Sequence, residues 1–193
     1  MSDKQRCSWV GSNPIYIAYH DKEWGVPVYD DTTIFEFLIL ETFQAGLSWI
    51  TVLKKRDNFR KAFDNFDYQK IATYTDKKLA ELVQDKGIIR NKLKIKATVS
   101  NAQAFITVQK EFGSFSKYIW SFVNGEPIQN KWKTNTDVPA TTPLAQKISK
   151  DLKGRGFKFV GATIIYAHMQ ATGMVNDHTT NCFRYKELSL EKQ

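Results

Sequence analysis

Two cysteines and two histidines could together bind one metal ion. His178 and Cys182 are four residues apart, so on a helix their side chains project from the same face. Cys7 and His20 contribute the same residue types near the other end of the chain, and two thiolates with two imidazoles suit tetrahedral zinc. The spacing of Cys7 and His20 is not that of a zinc finger, so four independent buried residues remain an alternative. The third histidine, His168, lies in the apolar run YAHMQ, where a hydrogen-bonded core histidine is the more common outcome.

Glu41 is a candidate for binding an organic ligand. It shares one helical stripe with the apolar residues Ile34, Phe37 and Leu38, which would place its carboxylate in apolar surroundings. Such placement is costly unless the carboxylate serves a ligand or a buried donor. A glutamate that is hydrogen-bonded within the core, or one that reaches the helix edge, is the alternative.

The segment that follows Glu41 indicates a pocket. In QAGLSW, residues 44–49, Gly46 interrupts the helix and exposes Leu47 and Trp49 around a turn. The turn lies within reach of the Glu41 carboxylate, so the two features could form one site.

Aromatic residues in the N-terminal segment could extend this pocket. Tyr16, Tyr19 and Trp24 would lie near Glu41 if the segment folds over its helix, and otherwise they belong to the core. A flat heteroaromatic ligand such as a purine base needs stacking faces of this kind together with a few hydrogen-bonding groups.

The hydrophobic pattern predicts the helices that would position these residues. Residues 33–45 (TIFEFLILETFQA) are apolar on nearly every face, which indicates a buried central helix. Further helices are predicted from Trp49 to Phe63, from the cap Thr75 to Gly87, from Lys92 to Glu111, from Ser114 onward, and from Pro143, after the cap Thr142, to Gly154. Residues 161–173 are the last long apolar segment. The segment from Asn124 to Thr141 is the longest expected loop, and no repeat or alternating strand pattern is present. The sequence therefore predicts an all-α fold.

The charge balance favours a polyanionic partner. Lys and Arg number 28 against 20 Asp and Glu, a formal net charge of +8, which favours nucleic-acid phosphates through counterion release. A merely basic surface is the alternative.

With 193 residues the chain has the size of one domain, and we expect a monomer. No stretch approaches the ~20 apolar residues of a membrane span, and Met1–Arg6 is not followed by an apolar signal core, so we expect no membrane partner and a cytoplasmic location.

Six blocks, in order along the chain, form a more specific pattern. They are RCSWV at 6–10, YIAYHDKEWGVP at 16–27, LETFQAGLSWITVLKKR at 40–56, GIIRNKLKI at 87–95, RGFKFVGATI at 155–164 and VNDHTTNC at 175–182. Together they resemble the 3-methyladenine DNA glycosylase I family, a divergent branch of the helix-hairpin-helix DNA glycosylases. The resemblance implies one glycosylase domain over residues 1–193, built as an α-helical bundle with a helix-hairpin-helix element at about residues 75–111.

The resemblance implies a role for each residue of the predicted pocket. Glu41 accepts hydrogen bonds from the methylated adenine, Trp49 stacks on it, and Tyr16 and Tyr19 line the pocket with Trp24 nearby. The implied enzyme flips 3-methyladenine out of alkylated double-stranded DNA and hydrolyses its N-glycosidic bond, which releases the base and leaves an abasic site.

The same resemblance implies that Cys7, His20, His178 and Cys182 bind one structural zinc ion per chain. The ion would fasten the two termini to each other, in a lobe formed by residues 1–30 and 160–193. All four ligand positions are occupied by the required residue types.

For DNA binding, the resemblance implies a hairpin at residues 85–95 that holds a phosphate through backbone amides. It also implies a plug, the apolar wedge Gly46–Leu47, that fills the space of the extruded base. The residues expected at the DNA are Gln44, Gly46, Leu47, Gly87, Arg90, Lys92, Lys94, Arg155 and Lys158. For Arg155 and Lys158 a solvated surface is the more usual outcome.

The chemistry must differ from that of related helix-hairpin-helix glycosylases, which use an Asp shortly after the hairpin. This sequence has no Asp between Asp85 and Asp137. Methylation at N3 makes adenine cationic and a good leaving group, so a pocket that recognises the cation and strains the nucleotide could suffice. None of the lysines beside the pocket motifs is a persuasive candidate for forming a Schiff base. This favours a monofunctional enzyme, which releases the base without cutting the strand. A zinc-stabilised, non-enzymatic binder of damaged DNA is the alternative, and it would leave Glu41 unexplained.

Overall fold

The computed structural model describes residues 4–44 and 46–190. Residues 1–3, Ala45 and 191–193 lie outside the described residues, and with them both ends of the predicted domain and one residue of QAGLSW. Ten α-helices are described: α1 (Pro14–Lys22), α2 (Asp31–Gln44), α3 (Trp49–Ala62), α4 (Tyr68–Ile71), α5 (Asp76–Gln84), α6 (Lys92–Phe112), α7 (Phe115–Ser121), α8 (Pro143–Gly154), α9 (Ala162–Ala171) and α10 (Phe183–Leu190). Short 3-10 turns lie at Ser8–Val10, Asp64–Phe66 and Asn135–Asp137. The prediction of a mostly helical fold is confirmed.

Helix α2 forms the centre of the molecule. Every residue from Ile34 to Phe43 is buried, and α3, α6 and α9 pack around the helix. This arrangement follows from a sequence that has no continuous polar face. Two of its buried residues are acidic. Glu36 accepts hydrogen bonds from Arg56 and Arg60, whereas Glu41 has no such partner among the described residues.

Helix boundaries follow local capping side chains. Thr75 and Thr142 accept hydrogen bonds from the first-turn amides of α5 and α8, as predicted. Helix α5 ends at Gln84, before the predicted end at Gly87. The helix ends there because Asp85 Oδ1 accepts the amide proton of Gly87 at 2.7 Å, which closes a tight turn in place of a further helical turn.

The segment between α7 and α8 contains regular structure that the sequence did not predict. Strand β1 (Ile128–Gln129) pairs in parallel with β2 (Val175–Asn176), with Ile128 opposite Val175. The prediction of an all-α fold did not include this pair. Strands of two residues are too short to show an alternating pattern, and their pairing depends on residues far apart in the chain.

The two ends of the described chain meet. The amide of Phe183 donates to the Gln5 carbonyl at 2.9 Å, and Cys7, Val10 and Cys182 form a small core of their own. Among the described residues, every helix falls short of the length or hydropathy that crossing a bilayer requires.

Candidate functional site

A cavity of about 410 Å³ lies beside the C-terminal half of α2. Its walls come from the N-terminal segment and α1, from α2, from the start of α3, from the loop before α8, and from α9 and the residues that follow it. The lining residues are Trp9, Tyr16, Tyr19, Trp24, Glu41, Gln44, Trp49, Asn135, Val138, Pro139, Ala140, Thr163, Tyr166, Ala167, Gln170 and Asp177. The structure thus brings all five predicted base-site residues, together with Gln44, around one cavity.

Glu41 is the most unusual group of this cavity. The residue is 3% exposed, and its Oε2 atom has no hydrogen-bond partner among the described residues. Burial without a compensating donor or cation raises the pKa of the Glu41 carboxyl to about 8. The raised pKa favours the protonated form of Glu41 near neutral pH, and a cationic or hydrogen-bonding ligand would relieve its isolation.

Aromatic rings form much of the remaining wall. The Tyr19 and Trp49 rings lie 5.7 Å apart between centroids, and Trp9 contacts the rings of both Tyr16 and Trp24 edge to face. Burial, and next the charge of Glu41, raise the pKa of Tyr19 well above its ordinary value, so this phenol keeps its proton. Trp49 Nε1 is buried and lies near Tyr19, where it opposes the rise in the pKa of that phenol, but among the described residues it makes no hydrogen bond of ordinary geometry. The cavity therefore offers stacking faces together with an unused donor and an unused carboxyl group.

Several lining residues were not predicted. Trp9, Thr163 and Asp177 fall within sequence blocks already noted, so those blocks carried a signal for them. The loop residues 138–140 and the side chains of Tyr166 and Gln170 have no local signature. They reach the cavity through the packing of α9 and the loop, which local patterns do not reveal.

Asp177 joins these unpredicted elements. Its Oδ1 atom accepts hydrogen bonds from Asn130 Nδ2 at 2.6 Å and from Trp132 Nε1 at 2.9 Å. Its Oδ2 atom accepts from the Tyr166 hydroxyl at 2.6 Å and from Gln170 Nε2 at 2.8 Å. One buried carboxylate therefore ties the loop before α8 to α9.

The predicted metal ligands converge. The ligand atoms of Cys7, His20, His178 and Cys182 all lie within 4.8 Å of one another, and all four residues are buried. Cys7 Sγ and Cys182 Sγ each lie 3.6 Å from His178 Nδ1, and Cys182 Sγ lies 3.4 Å from His20 Nε2. A tetrahedral zinc ion separates sulfur and nitrogen ligands by roughly 3.5 Å, given its usual bond lengths. These distances are compatible with a bound metal ion, and the four side chains form one cluster instead of lying apart in the core.

The surroundings of this cluster also suit a metal. The other ring nitrogen of His20 faces Asp21 Oδ1 at 2.8 Å, and that of His178 faces the Trp24 carbonyl at 3.0 Å. Such partners orient imidazole ligands and raise their basicity. Hydrogen bonds from Cys7 and from the two histidines lower the pKa of the Cys182 thiol, whereas the hydrogen bond to Cys182 and burial raise the pKa of the Cys7 thiol. Without a metal, one thiol of the pair therefore keeps its proton, and metal binding would have to displace it.

The residues expected at the DNA differ in how exposed they are and in whether they have partners within the protein. Gly46 adopts φ +80°, Leu47 is 41% exposed, and Arg90, Lys92 and Lys158 are exposed as well. Gly87 lies in the turn that connects α5 to α6. Lys94 and Arg155 differ from expectation. Lys94 is buried and donates to the Phe43 carbonyl at 3.4 Å. Arg155 is held by Glu111 and Asp151, which favours a structural role over phosphate contact.

Glu41→Gln is expected to stabilise the protein, increasingly so at higher pH. The unfolded carboxyl ionises near its ordinary pKa of 4.5, whereas the folded one ionises near 8. The favourable contribution of the wild-type carboxyl is therefore complete below pH 4.5 and lost as pH rises to about 8. Above that pH the variant should be more stable by about 3 to 5 kcal/mol. Urea unfolding from acid to alkaline pH measures this difference. The exposed Glu81→Gln serves as the control, and a pH-independent difference for Glu41→Gln would contradict the expectation.

Comparison with known proteins links this site to a reaction. The chain matches the family profile described as methyladenine glycosylase over residues 9–185. It is 49% identical to DNA-3-methyladenine glycosylase 1 of Escherichia coli (strain K12) over 181 residues, which cover 94% of this chain and 97% of that protein. A crystal structure of 3-methyladenine DNA glycosylase I superposes with a TM-score of 0.90 at 50% identity, covering 93% of this chain and 98% of the other. A variant of 3-methyladenine DNA glycosylase I in complex with 3-methyladenine also gives a TM-score of 0.90, at 35% identity over 92% of this chain and 96% of the other.

Proposed function

The chain belongs to the methyladenine glycosylase family, and from that membership and its cavity we infer that it is a DNA-3-methyladenine glycosylase of base excision repair. It hydrolyses the N-glycosidic bond of 3-methyladenine in alkylated DNA, releases the base and leaves an abasic site. The observation that carries this function is the buried carboxyl of Glu41, which lines an aromatic cavity and whose Oε2 has no hydrogen-bond partner within the part of the chain that the structure describes. A heteroaromatic cation would supply the partner that this carboxyl lacks.

We propose that Glu41 recognises the flipped base while aromatic rings hold it. Trp49 stacks on the methylated adenine, Tyr16 and Tyr19 line the pocket, and Trp24 closes it from the side. A positively charged base beside Glu41 favours the ionised carboxylate, so binding of the substrate would lower the raised pKa of this group. Ionised Glu41 then accepts hydrogen bonds from the base and balances its charge.

The reaction needs little help from a general acid. When the bond between the sugar and the base breaks, its electron pair moves to the cationic base, which leaves as a neutral molecule. Water supplies the hydroxyl group that completes the sugar, and its remaining proton passes to solvent. Neutral bases lack this driving force, so selection of the cation by the pocket also selects the reactive substrate.

We propose that the connection between α5 and α6 contacts DNA as a helix-hairpin-helix element. Lys55 Nζ donates to the carbonyls of Lys86 and Gly87, which fixes the turn. The amides of Ile89 and Arg90 have no hydrogen-bond partner among the described residues, and amides of this kind can bind a phosphate. Exposed Arg90 and Lys92 would add positive charge.

The exposed turn after α2 is suited to the proposed plug. Gly46 and Leu47 follow Gln44, which lines the cavity, so an apolar wedge at this position lies next to the pocket that would receive the base. Together with Lys158 these residues define the proposed face for double-stranded DNA.

We propose that Cys7, His20, His178 and Cys182 hold one zinc ion per chain. The ligand distances, the burial of all four residues and the partners of both imidazoles support this assignment. The ion would be structural, because four protein ligands leave no open position. It would fasten residues 1–30 to residues 160–193 within a single monomeric domain.

Release of the free base is the test of the proposed function. The protein is incubated with alkylated duplex DNA, and the supernatant is analysed by chromatography for 3-methyladenine, which we expect to accumulate. Borohydride added during the reaction should trap no covalent protein-DNA adduct, because no Schiff base forms. Binding of alkylated DNA without release of the base would instead identify a non-enzymatic damage binder, and a trapped adduct would overturn the monofunctional mechanism.

A further inference from the structure

Asp177 is a second buried carboxyl group in the wall of the cavity that contains Glu41. It is 2% exposed, and both residues line the same space. The two groups have opposite environments. Glu41 Oε2 has no hydrogen-bond partner among the described residues, whereas the Asp177 carboxylate accepts four hydrogen bonds from neighbouring side chains.

The four hydrogen-bond partners of Asp177 favour its carboxylate form. The Trp132 indole can only donate, and the amide nitrogens of Asn130 and Gln170 donate as well. Burial and Asp177 itself raise the pKa of Tyr166 above its ordinary value, so the Tyr166 hydroxyl keeps the proton that it donates. No proton is left for the carboxyl group to donate. Among the described residues, moreover, no cationic side chain forms an ion pair with it.

We propose that Asp177 supplies a fixed negative charge to the pocket, and that this charge stabilises the positive charge on the nucleotide as the glycosidic bond breaks. The proposal rests on the glycosylase function inferred above. A charge held by four neutral donors needs no rearrangement during the reaction, and such a preorganised charge stabilises a cation that develops nearby.

Asp177 also positions groups of the cavity wall. By binding Gln170 Nε2 and the Tyr166 hydroxyl, it fixes the orientation of two side chains that line the cavity. Gln170 Oε1 is left as an acceptor without a partner among the described residues. The structure therefore assigns Asp177 as a positioning residue that acts by its charge and through Tyr166 and Gln170.

The two carboxyl groups have different electrostatic roles. A cationic base would lower the raised pKa of Glu41 and favour its carboxylate, so its role is recognition. The carboxylate of Asp177 is stabilised by four protein donors and does not depend on the base. Its effect should therefore appear in the rate of bond cleavage more than in the affinity for the released base, which is neutral because it has taken the bond electrons.

Asp177→Asn is the first test, because it removes the charge at nearly constant size. We expect the single-turnover rate constant of 3-methyladenine excision to fall about 10- to 100-fold. The dissociation constant of free 3-methyladenine should change by no more than about threefold, since a neutral ligand gains little from the charge. A loss of affinity as large as the loss of rate would indicate a purely structural role and would overturn the proposal.

A matched pair at Asn130 tests the charge without altering Asp177. Asn130 is half-buried, lies outside the cavity lining and donates to Asp177 Oδ1. Asn130→Lys would place a cation beside the carboxylate and neutralise it, whereas Asn130→Gln keeps a neutral donor. We expect Asn130→Lys to slow excision about tenfold and Asn130→Gln to leave it within about twofold.

Equal excision rates for the two Asn130 variants would overturn the proposal, and this comparison decides the matter alone if Asp177→Asn does not fold. Failure of the wild-type protein to release 3-methyladenine would instead refute the proposed function. An active wild type with unaffected Asp177→Asn and Asn130→Lys variants would refute only the role of Asp177.

Discussion

Glu41→Ala is expected to lower the rate of 3-methyladenine excision roughly 100- to 1,000-fold and to weaken binding of free 3-methyladenine about 10- to 100-fold. Both losses have one cause, because the same carboxyl group binds the base before and after the bond breaks. It is the buried acidic group of the cavity that has an oxygen without a partner among the described residues. Its removal leaves the cavity with aromatic faces but without the group that balances a cationic base.

The measurements are single-turnover excision from alkylated DNA and titration of the protein with free 3-methyladenine. Glu41→Gln is the matched variant, since it keeps the size of the side chain and should be at least as stable as wild type at neutral pH. Loss of activity in a variant that folds better cannot be attributed to unfolding. Excision that falls while free-base binding stays unchanged would contradict the recognition role of Glu41.

Cys182→Ser is expected to release zinc and to destabilise the protein severely. Zinc held by four protein ligands contributes on the order of 10 kcal/mol of binding free energy to a folded state. That is comparable to the whole net stability of a typical domain, about 5 to 15 kcal/mol. The small core of Cys7, Val10 and Cys182 should then separate, and the ends of the chain with it.

Metal analysis and thermal unfolding measure this effect. Wild-type protein purified without added zinc should contain about one equivalent of zinc per chain. A chelator should lower the melting temperature of the wild-type protein. It should not change the unfolding of Cys182→Ser, so this variant is the control for effects of the chelator other than zinc removal. Well-folded wild-type protein without zinc would refute the assignment.

Loss of the metal should also change the shape of the cavity. The Trp24 ring lies 4.6 Å from the His178 ring, and Trp9 lies 5.4 Å from His20, measured between centroids. Both tryptophans line the cavity. Weaker binding of free 3-methyladenine after chelation would follow from displaced walls, because the ion itself has no open position for a ligand.

Some features were predictable because they depend on neighbours along the chain. The buried helix α2 follows from apolar residues on nearly all of its faces, and the starts of α5 and α8 follow from the caps Thr75 and Thr142. The Cys and His residues revealed the type of metal site, and the unusual position of Glu41 on an apolar helix indicated a ligand. Each of these signals lies within a few turns of one element.

Other features depended on which distant residues the fold brings together. Asn130 and Asp177 are 47 positions apart, and no local pattern reveals that they share a hydrogen bond. Arg155 and Lys94 look like phosphate ligands in the sequence, yet the fold gives one of them two carboxylate partners and buries the other. A basic residue binds whichever acceptor lies nearest, and only packing decides which one that is.

By itself, therefore, the amino-acid sequence determined where the helices form, which residue types could bind a metal, and which carboxyl group could bind a base. Periodicity and residue chemistry are local properties. The tertiary structure alone decided that the four predicted metal ligands meet, that aromatic residues from separate elements surround the cavity beside Glu41, and that Asp177 lines the same cavity. Those are long-range contacts, and they arise from the burial of whole helix faces against one another rather than from any single segment.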